Sequence, residues 1–158
     1  MTEFITRTTN ETIDLGRRIG SVLRDGDVLV LNGDLGAGKT QLTKGIAEAM
    51  GVRDSVTSPT FTIQMVYEGS ELELCHFDLY RLEDPEQLDD TGLFDVLGAD
   101  GVCVIEWGDK FADQLGDERL DIRLSRLDEQ AEAGEEPARL VRLEPHGSRA
   151  QEIMEALG

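Results

Sequence analysis

Gly33-Asp34-Leu35-Gly36-Ala37-Gly38-Lys39-Thr40 is the stretch on which the fold turns. It satisfies G-x-x-x-x-G-K-[ST], the phosphate-binding P-loop. The short apolar run Val28-Leu29-Val30-Leu31 precedes it and reads as a buried strand. Leu42, Ile46, Ala47 and Met50 follow at helical spacing, and Gly51 stops the helix. The motif therefore stands between a strand and a helix, where its mechanism needs it. The competing reading, a glycine-rich turn with a chance lysine, requires motif and setting to coincide by accident. Glycines let the backbone wrap an anion, successive N–H groups form a nest, and the helix start adds its positive dipole end. Lys39 is placed to reach the β- and γ-phosphates, and the Thr40 hydroxyl to hold Mg²⁺.

Outward from the loop, the chain reads as alternating helices and strands. Glu3 to Thr8 suggests an edge strand, and Thr9 or Asn10 a helix cap. Thr62 to Tyr67 and Leu72 to Phe77 alternate around Glu68-Gly69-Ser70, a β-hairpin pattern. The acidic stretch from Glu83 to Asp100 reads as short helices with a solvated face. Val102-Cys103-Val104-Ile105 reads as a buried central strand, and Leu120 to Leu124 with Leu140 to Leu143 as a last antiparallel pair. Asp128 to Pro137 is Glu/Ala/Gly-rich, a loop composition, and Ala150 to Leu157 suggests a closing helix. The expected fold is α/β of the P-loop NTPase class: one domain over residues 1–158, a mixed but mostly parallel sheet flanked by helices, with a hairpin after the P-loop helix.

Two acids end apolar strands: Asp78 in His76-Phe77-Asp78-Leu79-Tyr80-Arg81, and Glu106 in Glu106-Trp107-Gly108. A P-loop site takes an acid from a nearby strand to complete its Mg²⁺ shell, so both compete for that duty or for orienting water. Thr60, in Thr57-Ser58-Pro59-Thr60-Phe61, reads either as a contact to γ-phosphate or metal or as a turn cap. His76 fits the strand alternation and reads as a satisfied core histidine. Trp107 reads equally as packing or as site lining. Tyr80 and Arg81 are placed to position Asp78. The guanine-selecting N-K-x-D signature is absent, which leaves adenine as the default base.

Fifteen Lys and Arg against thirty-three Asp and Glu give a net charge of −18 over 158 residues. Such a surface repels phosphate backbones, which argues against direct tight binding of nucleic acid. High solubility or a salty cytoplasm would each suit it. No apolar run reaches the roughly 20 residues of a membrane helix, and no basic-then-apolar N-terminal pattern marks secretion. Cys75 and Cys103 stand inside apolar runs outside any C-x-x-C, as buried thiols in a reducing cytoplasm would.

Four motifs occur in order: G-D-L-G-A-G-K-T at 33–40, S-P-T-F at 58–61, H-F-D-L-Y-R-L at 76–82 and E-W-G at 106–108. Together they closely resemble the TsaE family, also called YjeE, from about Thr9 to Trp107; the C-terminal third matches loosely. The resemblance implies a cytoplasmic, Mg²⁺-dependent ATPase that works with the TsaB–TsaD pair in forming threonylcarbamoyladenosine at position 37 of tRNA, touching tRNA only through its partners. It implies nucleotide contacts from Gly33, Asp34, Leu35, Gly36, Ala37, Gly38, Lys39, Thr40 and Gln41, with Thr60 and Trp107 lining the site. Thr40 and Glu106 would hold Mg²⁺, Lys39, Asp78 and Glu106 would serve catalysis, and Thr9 would touch the base. Two rivals stand beside it. A small-molecule kinase would need an arginine-rich lid, for which only Arg119, Arg123 and Arg126 offer themselves. A non-hydrolytic switch would use ATP binding alone.

Overall fold

The computed structural model of the protein describes residues 2–33, 37–54, 56, 64–127 and 137–157. In chain order the elements are β1 (Thr2–Thr6), α1 (Thr9–Gly20), β2 (Val28–Gly33), α2 (Lys39–Ala49), β3 (Gln64–Glu68), β4 (Glu73–Asp78), α3 (Leu93–Val96), β5 (Val102–Glu106), β6 (Arg119–Arg126), β7 (Arg139–His146) and α4 (Ser148–Leu157). Short 3₁₀ turns at Pro85–Asp90 and Gly108–Gln114 flank α3 and follow β5.

The strands form one sheet in the order β1-β7-β6-β2-β5-β4-β3. Parallel ladders join β6 to β2, β2 to β5 and β5 to β4. Antiparallel ladders add β7 and β1 on one side and β3 on the other. Following those directions across the sheet, only β3 and β7 oppose the rest, so the sheet is mixed and mostly parallel, as the sequence predicts. The β3–β4 hairpin and the β6–β7 pair are both present. The P-loop strand β2 sits centrally, and its C-terminal end shares an edge with the ends of β4 and β5.

Alternation along each strand divides the core in two. Leu29, Leu31, Leu74, Val102, Val104, Leu120, Ile122, Leu124, Val141 and Leu143 face α1, α2 and α4. Val28, Val30, Cys75, Phe77, Cys103 and Ile105 face the turns that carry Leu88, Leu93, Phe111 and Leu115. Leu29, Leu31, Leu42 and Ile46 are wholly buried, each worth about 1.5–3 kcal/mol relative to exposure. Cys75 and Cys103, at matched register on β4 and β5, are buried free thiols. A hydrogen bond donated by its S–H to Cys75, and then burial, hold the Cys103 thiol well above the usual range, which makes it unreactive.

The cap of α1 falls one residue before the expected Thr9 or Asn10. Thr8 is extended, and its hydroxyl accepts from the Glu11 amide at 3.1 Å. Thr8, assigned to the strand from the sequence, is free to cap because the β1 ladder ends at Thr6. Helices α1 and α2 cross through glycines. A Cβ on Gly45 would overlap the Ile13 carbonyl and stand 2.9 Å from the Arg17 amide. Gly45→Ala is therefore expected to cost about 1–3 kcal/mol through overpacking, read as a melting temperature lowered by several degrees. An unchanged melting temperature would contradict this close approach. Thr57, Ser58, Pro59, Thr60 and Phe61, and most of the acidic loop, lie outside the described residues.

Candidate nucleotide site

Strand β2 runs into the loop and α2 leaves it. Gly38 caps α2 at φ +106°, a left-handed conformation that favours glycine. Ala37, Gly38 and Lys39 are buried, while Thr40 and Gln41 are half-buried in the first turn of α2. Asp34, Leu35, Gly36 and Thr60 lie outside the described residues.

The sheet register brings the two acids together. Leu31 pairs with Glu106, and Glu106 pairs with Asp78. Alternation places His76, Asp78 and Glu106 on the face covered by α2, since Leu74, Val104 and Leu31 share that parity. Both acids are buried, each 2% exposed. Two adjacent buried carboxylates are costly without compensation. His76 supplies part of it: Nε2 lies 2.5 Å from Glu106 Oε2, and the His76 side chain is fully buried. His76 is thus a core residue, as its alternation suggests, but one that fixes an acid's orientation. Asp78 Oδ1 accepts the Tyr80 amide at 2.9 Å, so Tyr80 positions Asp78 through its backbone.

The donor set suits a hard cation. Magnesium is bound through one or two carboxylates with substrate phosphates and water rather than by an all-protein cage. Among the described residues no group of three or more His, Cys, Asp or Glu could hold a metal. Thr40 and Glu106 are the residues that would hold it.

Trp107 and Lys39 meet across the site. Continued strand alternation would send Trp107 to the face opposite α2. Instead its φ is +62°, the left-handed region, rare for a bulky residue and costing roughly 1–2 kcal/mol. Its amide still bonds the Leu31 carbonyl at 3.0 Å, and its ring lies 3.6 Å from Lys39 Nζ. Tyr80 packs against the same ring at 4.9 Å. Lys39 Nζ also donates to the Gly33 carbonyl at 2.5 Å. The structure thus places Trp107 against the P-loop lysine.

Thr9 is half-buried at the start of α1. Strand β1 runs in the same direction as β2, so Thr9 lies at the same edge of the sheet as the P-loop. It stands on the flank away from Asp78 and Glu106. The three lid candidates all belong to β6. Arg119 is ion-paired with Asp121 at 3.0 Å and Arg123 with Asp109 at 3.7 Å, and alternation turns both away from α2. Among the described residues no helix is long and apolar enough to cross a membrane.

A glycine-bearing loop between a central parallel strand and a helix, flanked by acids from neighbouring strand ends, defines a P-loop NTPase fold. The family model for the threonylcarbamoyl adenosine biosynthesis protein TsaE matches residues 6–134. The chain belongs to the TsaE family. It is 45% identical over 122 residues to the tRNA threonylcarbamoyladenosine biosynthesis protein TsaE of Bacillus subtilis, covering 76% of each chain. It is 46% identical over 116 residues to the TsaE of Streptomyces coelicolor, covering 72% of this chain and 78% of that one. The crystal structure of Bacillus subtilis YdiB superposes with a TM-score of 0.81 at 34% identity, covering 99% of this chain and 93% of the other.

Proposed function

We propose that the protein is the Mg²⁺-dependent, ATP-hydrolysing subunit of tRNA threonylcarbamoyladenosine formation, acting with the TsaB–TsaD pair in the cytoplasm. One observation carries the reading: Asp78 and Glu106 end adjacent strands in register, on the α2 face, beside the strand that feeds the P-loop. Membership of the family supplies the biological setting.

The chemistry asked of the protein is positioning and charge stabilisation. The loop amides and the α2 N-terminus take the phosphates. Lys39 leaves the Gly33 carbonyl and the Trp107 ring to meet charge on the β–γ bridge. Asp78, fixed by the Tyr80 amide, orients the water whose oxygen attacks the γ-phosphorus. The bridging P–O bond breaks with its electrons on ADP, and the water proton passes to phosphate. Glu106, held by His76, presents its other oxygen to the site. A bound Mg²⁺ would neutralise phosphate charge there, held by Thr40 and Glu106. A net charge of −18 suits a subunit that leaves tRNA to its partners.

The test is phosphate release from ATP by the purified chain, alone and with TsaB–TsaD. Slow Mg²⁺-dependent release that rises with the partners is expected. Nucleotide binding with no release in either condition would overturn the hydrolytic reading and leave a binding switch. The single tryptophan gives a second readout. Withdrawal of Lys39 from the ring should change Trp107 emission on ADP addition. Unchanged emission at saturating ADP would contradict the Lys39 movement.

A further inference from the structure

Beyond the family's matched span, the first residue of β7 reaches the phosphate loop. The Arg139 side chain packs on Gly38: a Cβ placed on that glycine would stand 3.0 Å from Arg139 Cδ and 3.1 Å from Nε. Arg139 is half-buried, and one guanidinium nitrogen, Nη1, donates to the Pro137 carbonyl at 3.1 Å. The family match ends at residue 134, so this cation comes from a segment the motifs do not cover.

Two further placements point the same way. The ladder sets Arg126 directly opposite Arg139. Both share parity with Leu124 and Val141, which face the α2 side. Thr6 also pairs with Arg139, so the start of α1, with Thr9, borders the same flank. Asp78 and Glu106 lie on the other flank, through β5 and β4. A nucleotide laid across the front of α2 with its γ-phosphate toward the acids has its nucleoside end toward β7.

We infer that Arg139 is a nucleotide-binding residue, its guanidinium lying against the nucleoside end of the bound nucleotide. This rests on the P-loop reading above. In a chain of net charge −18 it would add positive potential where the loop alone must oppose an unfavourable field. An arginine in this place stacks its planar guanidinium on a base face.

The test compares ADP with inorganic tripolyphosphate, each titrated with Mg²⁺ into wild type, R139M and R139Q by calorimetry. Methionine keeps an unbranched stem against Gly38 and removes the charge, so R139M guards against a packing defect; thermal melting of each variant checks the fold. Wild type should bind ADP, and failure of that would sink the P-loop reading itself rather than the role of Arg139. With wild-type binding intact, R139M should bind ADP about tenfold more weakly, the scale of one cation–π contact, with tripolyphosphate within twofold of wild type. Unchanged ADP affinity in R139M overturns the assignment. Equal weakening of both ligands also overturns it, because that would make Arg139 a support for the loop or its shared phosphates.

Discussion

Lys39→Ala is expected to abolish measurable ATP turnover, a fall of at least about 100-fold in kcat, the scale seen when one preorganised transition-state donor is removed. The side chain is 5% exposed and held between the Gly33 carbonyl and the Trp107 ring. Neither contact involves phosphate, so both must yield when charge develops on the β–γ bridge. The lysine is thus stored beside its place of work, and the Trp107 ring favours a cation there. Circular dichroism should show the variant folded, and Lys39→Met, which retains most of the buried stem, should be equally inactive. Normal phosphate release by either variant would refute the charge-stabilising role.

Glu106→Gln should lower turnover by a similar factor, about 100-fold or more, and raise the Mg²⁺ concentration needed for half-maximal nucleotide binding. Glutamine has the same shape, and its amide oxygen can still accept from His76 Nε2, so the 2.5 Å contact survives in kind. Only the negative charge is lost. That separates an electrostatic role from a packing role. Direct Mn²⁺ binding in the presence of ADP, followed by electron paramagnetic resonance, gives a readout apart from activity. Unaltered Mn²⁺ affinity together with normal hydrolysis would remove Glu106 from the metal-binding set. Asp78→Asn makes a useful contrast, because Asp78 is fixed by a backbone amide rather than by a side chain. Loss of turnover with Mn²⁺ affinity retained is the pattern expected of a residue that orients water.

Much of this is legible in the sequence, and particular residues show why. The P-loop combines a motif with a strand–helix setting, both local properties, and β2 and α2 form where the sequence places them. Asp78 and Glu106 could be marked because each ends an apolar run, and strand ends are where parallel sheets gather their sites. Residue-level local geometry was harder. The sequence points to Thr9 or Asn10 as the cap of α1 and gives Thr8 to the strand, and only the end of the β1 ladder at Thr6 hands the cap to Thr8. The open face of β6 is another such case: nothing in its spacing says that Arg119 and Arg123 turn outward into ion pairs with Asp121 and Asp109.

By itself the sequence determined the class of fold, the phosphate loop, the two acids and the hairpin that follows the loop helix. These follow from short-range periodicity, glycine placement and the ends of apolar runs, all written within a few neighbouring residues. The tertiary structure alone decided that His76 holds Glu106, that Trp107 turns back onto Lys39, and that Arg139 packs on Gly38. Each of those pairs is brought together by strand register or by a single left-handed residue, with 30 to 101 positions between the partners. Contacts of that kind depend on which strands lie side by side and which way a side chain leaves the sheet, and no local pattern encodes either.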